Sequence, residues 1–397
     1  MHLCVYLLLY FLCGLKIPRF AYLQAMKMLT LILFCLIPAA NAAAQPANTR
    51  LRQVDSLLAA LYKSNAPGIS VAILQNGMPV FKKSYGIADI NTKQHITDTS
   101  NFNIGSLTKQ FTAMGILLLE HAGKLSLDDK LSRWFPDMAK HVANTVTIRQ
   151  LLTHTGGLFD HYDYTNTKNM LHAHNADVYA AIKNIDSTYF APGTHFRYSN
   201  TGFCLLALII EKASGLPYSK YMQQHIFTPA GMLHTTVWGE HANIPNPTMG
   251  YDLDSATGKF ITSGPEGHPF FSTEGDGGIY TTVDDYLQWF GGLQGSKILP
   301  AGIVNEARSL HFTIDTPTHA GYGYGWFVDT GTPPLKVYHS GSNGGYRAYS
   351  FTIPAQGYLL LIFSNRGDID LEYVVKKINE IILGEKGTFT GVGKMVE

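Results

Sequence analysis

A serine and a lysine stand three residues apart at Ser106 and Lys109. They head an apolar-periodic stretch in which Leu107, Phe111, Met114, Leu117 and Leu118 recur at helical spacing. At that separation both side chains lie on one helical face, one turn apart, so the amine reaches the hydroxyl. A serine hydroxyl becomes a nucleophile when a neighbouring base takes its proton, and a desolvated lysine can do that. In the first turn Ser106 also meets the positive end of the helix dipole, which favours an alkoxide or oxyanion there. The same pattern fits a capping serine followed by a solvated lysine, so the rest of the chain has to decide.

Positioning such a pair takes a folded core, and the composition allows one. The 397 residues are 46% hydrophobic and 15% charged, with 38 Gly, an ordinary globular balance. Formal charge is +1, with no Lys/Arg run, so nucleic acid is not expected as a partner. Residues 1–42 carry Lys16, Arg19 and Lys27 and no acid. Apolar runs from Leu3 to Leu15 and Leu29 to Pro38 are each shorter than the roughly 18 residues a membrane span usually needs. Met26-Lys27, the second run and Ala40-Asn41-Ala42 read as a secretory signal with a mature start at Ala43. The predicted location is exported, periplasmic or secreted, and membrane contact is expected only through an uncleaved leader. On this reading Met26 is a candidate initiator. Cys4, Cys13 and Cys35 fall in the leader, which leaves Cys204 without an internal disulfide partner. Lying in the apolar run Phe203 to Ile210, it reads as a buried, inert thiol.

Periodicity predicts a helix over Leu51 to Tyr62. It then predicts a hairpin of Gly68 to Leu74 and Pro79 to Tyr85 about Asn76-Gly77. The Ser106 helix should stop at Gly123. Further helices are expected over Thr201 to Ala213, Tyr221 to Phe227, Val283 to Phe290 (with Thr282 as N-cap) and Asp370 to Leu383. Strands are expected at Leu335 to His339, Gly345 to Ile353 and Tyr358 to Ser364. Residues 240–275, rich in Gly, Pro, Ser, Thr and His, read as a long loop. Strands at both ends and helices between predict an α+β fold: an antiparallel sheet built from both chain ends, flanked by helices, with a helical insertion. The expected organisation is a leader (1–42), a single domain (43–390, sheet parts about 50–100 and 330–385) and a tail (391–397).

His154, His161, His172 and His174 raise the question of a metal. Their spacing is not that of a helical zinc pair and no Cys is near, so no metal is expected. His154, in Thr153-His154-Thr155-Gly156-Gly157, reads most simply as a loop histidine bonded to backbone.

Two further segments complete a set. Tyr198-Ser199-Asn200 supplies a phenol, a hydroxyl and an amide, and Tyr338-His339-Ser340-Gly341-Ser342 ends a strand with a histidine and a glycine. With Ser106-Leu107-Thr108-Lys109 these resemble, in order and spacing, the Ser-x-x-Lys, Tyr-x-Asn and Lys/His-x-Gly motifs of the serine β-lactamase and penicillin-binding-protein superfamily. The tyrosine version of the second motif is similar to the branch of class C β-lactamases, D-alanyl-D-alanine carboxypeptidases, D-aminopeptidases and carboxylesterases. Leu151 to Leu158 also looks like that branch's LLTHTSGL signature, with Gly156 in place of the usual serine. The resemblance spans residues 50–385.

It implies a β-lactamase/transpeptidase-like fold and a serine hydrolase acting through an acyl-enzyme on an amide, β-lactam or ester. A carboxylesterase, or a penicillin-binding sensor that acylates without turnover, is the alternative. Ser106 would be the nucleophile, with Lys109 and Tyr198 sharing its proton. The backbone N–H groups of Ser106 and Ser342 would form the oxyanion hole. Asn200 would orient Lys109 or the substrate, and His339, beside Gly341, would hold Tyr198 or bind substrate. Where the family usually has lysine, a neutral His339 would attract carboxylates less, unless Arg347 compensates. A small-molecule or peptide substrate is expected, and no cofactor.

Overall fold

A computed structural model describes residues 49–164, 172–239, 242–264 and 271–384. The leader, the Ala43 start and the tail lie outside these residues. Helix α1 (residues 49–61) precedes the hairpin of β1 (Ile69–Gln75) and β2 (Met78–Tyr85). The helical part contains α2 (Thr108–His121), α3 (Asn200–Ser214) and α4 (Val283–Gln294). The chain then returns through β3 (Phe312–Asp315), β4 (Ala320–Tyr322), β5 (Phe327–Asp329), β6 (Lys336–Asn343), β7 (Tyr346–Ile353) and β8 (Tyr358–Ser364), and ends on α5 (Leu371–Leu383). The eight strands form one antiparallel sheet in the order β3-β4-β5-β6-β7-β8-β1-β2. Both chain ends therefore meet at the β8–β1 ladder.

The sheet is covered on both faces, which is why β1 and β8 read as unbroken apolar runs. Val71 and Ile73 of β1 pack with Val54 and Leu58 of α1 and Val375 and Ile378 of α5. Ala72 and Leu74 point the other way, into the larger core shared with α2, α3 and α4. Strand β2 is an edge and carries the features that suit one, Pro79 and two lysines on an exposed strand. Lys82 pairs with Asp98 and Asp284, and Lys83 with Asp55.

Helix α2 runs through the middle of the larger core. Eleven of its residues are buried, from Thr108 to Leu117 and at Leu119. Phe111 stacks on Trp289 of α4 at 4.2 Å. Thr282 caps α4 by accepting from the Asp285 N–H, and Ser199 caps α3 by accepting from Gly202.

Three features differ from the sequence reading. The sheet begins at Phe312, because β3, β4 and β5 are each only three or four residues long and carry too little alternation to register. The third-motif strand runs on past His339 to Asn343. It pairs with β5 through Lys336 to Tyr338 only, so its outer edge lacks a ladder partner from His339 onward. Within 240–275, Tyr251–Asp254 and Lys259–Thr262 pair as a hairpin. Its turn is set by Asp254, whose carboxylate accepts from the Ala256 N–H and the Thr257 hydroxyl.

Asn365, just after β8, ties the sheet to the loops beside it. Its Oδ1 accepts from the Gly68 N–H at 2.7 Å, and its amide donates to the carbonyls of Ile87, Ala88 and Met249. Asn365→Ala should leave these buried groups unpaired and cost about 2 kcal/mol or more, read as a lowered urea midpoint at unchanged slope.

Candidate active site

Ser106 lies in a single 3-10 turn, Gly105–Leu107, that leads directly into α2. Asn103 shapes its entry by accepting from the Gly105 N–H at 2.8 Å. Two glycines allow β6 to run against this turn. Gly105 has φ +49, and a Cβ there would lie 2.6 Å from the Ser342 nitrogen. A Cβ on Gly341 would lie 2.0 Å from the Ile104 carbonyl oxygen. The backbone of Ser342 is thus brought beside the Ser106 turn, where two N–H groups can serve one oxyanion.

Lys109 is fully buried. Its Nζ has three partners: Ser106 Oγ at 2.9 Å, Asn200 Oδ1 at 2.8 Å and the Asp276 carbonyl at 2.9 Å. The amide oxygen and the carbonyl can only accept, so they occupy two N–H groups. The third direction faces the serine hydroxyl. As an ammonium, Lys109 donates to Ser106; as a free amine, it points its lone pair at the serine proton.

Asn200 is held in place from behind. As the first residue of α3, it donates its N–H to Asp160 Oδ2 at 2.6 Å, so Asp160 anchors the second motif. Tyr198 is half-buried, with Lys109 Nζ 4.9 Å from its ring centroid. Its ring lies against His154 at 4.2 Å and parallel to Phe327 at 6.3 Å.

His154 sits at φ +56 and is buried. Its Nδ1 accepts the Ser199 N–H at 3.0 Å, the backbone role its sequence context predicts. Burial first, then the charge of Lys109, hold its imidazole well below its ordinary pKa. His161 bonds Thr201 and His174 pairs with Glu274. Among the described residues, no group of three or more His, Cys, Asp or Glu is placed to hold a metal ion. Cys204 is buried with Sγ 3.5 Å from Asp276 Oδ1, and burial pushes its thiol up.

His339 is 1% exposed, and its contacts differ from expectation. Its Nε2 lies 3.0 Å from the Tyr322 hydroxyl and its Nδ1 2.6 Å from the Ser340 carbonyl, while the Tyr198 ring centre is 6.1 Å away. Burial, then the Lys109 charge, lower its pKa to about 3. Arg347 pairs with Ser342 across the β6–β7 ladder. Alternation puts it on the sheet face opposite His339, and its guanidinium donates to the carbonyls of Gly344 and Tyr346.

The structure therefore gathers Ser106, Lys109, Tyr198, Asn200, His339, Gly341 and Ser342, and turns Arg347 away. Sequence reasoning missed Tyr322, Asp160, Asp276 and the tight role of Gly105. The acceptor from Asp276 is a backbone carbonyl, which has no residue-type signature.

Fold and site together define a mixed α+β protein of the β-lactamase/penicillin-binding-protein fold with a serine hydroxyl hydrogen-bonded to a buried lysine. Residues 53–379 match the Beta-lactamase family, and the chain belongs to that family of serine hydrolases. It is 30% identical to penicillin-binding protein 4* of Bacillus subtilis (strain 168) over 331 residues, 80% of this chain and 72% of that protein. It is 29% identical to protein flp of Staphylococcus aureus (strain MW2) over 343 residues, covering 84% of this chain but only 66% of flp's length. Its fold matches the octameric penicillin-binding protein homologue from Pyrococcus abyssi with TM-score 0.73 and 26% identity, over 85% of this chain and 77% of that one. The D-amino acid amidase from Ochrobactrum anthropi SV3 matches with TM-score 0.67 and 26% identity, over 85% and 96%.

Two of the buried imidazoles, His154 and His339, set an acid limit to stability. Both have folded pKa values below the unfolded value of about 6.5, so the unfolded chain binds more protons as the pH falls through that value. Stability should be fully present above pH ~6.5 and decline toward the His339 value of about 3. Urea midpoints taken at intervals from pH 4 to 8 should show this decline, with a shallower slope in His339→Gln.

Proposed function

We propose that this chain is an exported serine hydrolase that cleaves an amide, β-lactam or ester through an acyl-enzyme on Ser106. The observation that carries the reading is the position of Lys109 Nζ, bound to two fixed acceptors with its third direction on Ser106 Oγ. Ser106 Oγ attacks the carbonyl as its proton passes to the Lys109–Tyr198 pair. The N–H groups of Ser106 and Ser342 receive the developing oxyanion, the kind of preorganised donor pair that usually contributes most to such catalysis. Collapse of the tetrahedral adduct breaks the bond to the leaving group, which takes the proton from Tyr198. Water then attacks the ester and gives its proton to the same pair; breaking of the ester bond releases the acid and returns that proton to Ser106 Oγ. The leader supports export, and N-terminal sequencing of secreted protein should find Ala43 first.

Ser106→Ala should abolish covalent labelling without loss of fold. A fluorophosphonate followed by intact mass should give one adduct on the parent protein and none on the variant; an adduct on the variant would mean another nucleophile. Lys109→Ala and Tyr198→Phe should each lower kcat/KM by about two to four orders of magnitude, and the double variant by little more. Losses that multiply in full would show the two side chains acting independently. Turnover of nitrocefin, a p-nitrophenyl ester or a D-alanyl-D-alanine peptide would exclude a sensor that only acylates.

A further inference from the structure

Lys109 sits within α2, but its partner Tyr198 stands in irregular backbone just before α3. One residue from another segment grips it there. The His154 carbonyl accepts the Arg197 N–H at 3.0 Å, and His154 Nδ1 accepts the Ser199 N–H at 3.0 Å. Between these two bonds the imidazole lies against the Tyr198 ring, with centroids 4.2 Å apart. His154 therefore holds the residue on either side of Tyr198 and backs the ring itself. The imidazole is in turn confined by Phe203 at 5.1 Å and Tyr322 at 4.7 Å.

His154 occupies this place at a local disadvantage. It follows the short helix Ile148–Leu152 in a left-handed turn, where its N–H donates to the Leu151 carbonyl and the Thr155 N–H to that of Gln150. Such a turn favours glycine at its left-handed position, yet His154 stands there with φ +56. Among the described residues it is the only buried non-glycine residue with positive φ. The Ser199 N–H only donates, so Nδ1 is the acceptor and the hydrogen sits on Nε2. Nε2 is buried without a hydrogen-bond partner among the described residues. Neither the turn nor the second nitrogen explains a histidine at this position. An accepting nitrogen and a flat ring on one side chain do explain it, and both are directed at the Tyr198 segment.

We infer that His154 is the positioning residue of the second motif: by holding the N–H groups on both sides of Tyr198 and packing against its ring, it keeps that tyrosine beside Lys109 before substrate arrives. The inference rests on the hydrolase reading above and adds the residue that orients its proton-handling pair. Lys109 Nζ, 4.9 Å from the Tyr198 ring centroid, is fixed by the Asn200 side chain and the Asp276 carbonyl, so the tyrosine is the member that needs setting. Asn200 is anchored separately, through its N–H on Asp160.

Fluorophosphonate labelling of Ser106 provides the test, because its maximal rate reports activation of the serine and its half-saturation reports binding. His154→Asn suits a left-handed turn and keeps an acceptor for the Ser199 N–H, but removes the ring. Its maximal rate should fall about tenfold or more, with half-saturation within about twofold of the parent value, as for a displaced proton-handling group. His154→Gly gives the turn its preferred residue and removes the acceptor as well, so its loss should be larger. In the Tyr198→Phe background neither substitution should lower the rate further, because no hydroxyl is left to position. A merely structural role for His154 would lower the rate by the same factor in both backgrounds, and that result would overturn the inference. So would a parental rate in His154→Gly. The two readings fail differently. Equal losses in both backgrounds remove the positioning residue and leave the proton-handling pair standing. Labelling of Tyr198→Phe at the parental rate removes the tyrosine's role and its positioning residue together.

Discussion

The site depends on one buried amine. Taking an ammonium out of water costs several kcal/mol, and the cost is offset only where its hydrogens find acceptors in good geometry. Lys109 finds three, and each belongs to a different part of the chain: the turn before α2, the head of α3, and the Glu274–Gly277 turn. Those parts must converge for the amine to be buried at all, so the solvation of one side chain and the assembly of the site are the same constraint. This explains why the Glu274–Gly277 turn is itself so firmly held. Gly275 packs against the backbone of α3, Thr112 donates to the Gly275 carbonyl, and Asn175 accepts from the N–H groups of Glu274 and Gly275.

A second constraint is the close passage of β6 along the Ser106 turn. It is a backbone-to-backbone approach, possible only because Gly105 and Gly341 present no side chains to each other's neighbours. The Ser106 turn and the strand are thereby brought into fixed relation by backbone contact. Around this centre the walls are aromatic. His154, Tyr198, Phe327 and Tyr322 form a ring-on-ring group, with Lys109 Nζ 4.9 Å from the Tyr198 ring centroid. Low polarity there strengthens whatever hydrogen bonds the site does make.

Three of the four histidines that raised the question of a metal have protein partners: Ser199 for His154, Thr201 for His161 and Glu274 for His174. Among the described residues no helix is long and apolar enough to cross a membrane.

By itself the sequence determined the local parts. Periodicity placed α1, α2, α3, α4 and α5 to within a few residues, and Tyr358–Ser364 as a strand, because a buried face repeats at a fixed interval wherever the chain is regular. The resemblance of three motifs to those of one family marked Ser106, Lys109, Tyr198, Asn200 and His339 as one set. Tertiary structure alone decided what lies between the motifs. The acceptor from Asp276 is a backbone oxygen that any residue could supply. Asp160 reaches Asn200 across 40 positions, and Tyr322 reaches His339 from a three-residue strand too short to announce itself. Arg347 stands five residues after Ser342, yet strand alternation turns it to the opposite sheet face from His339. Contacts made by backbone groups, or by single side chains from distant segments, leave no periodic trace along the chain. They exist only once the sheet and the helical part have packed together.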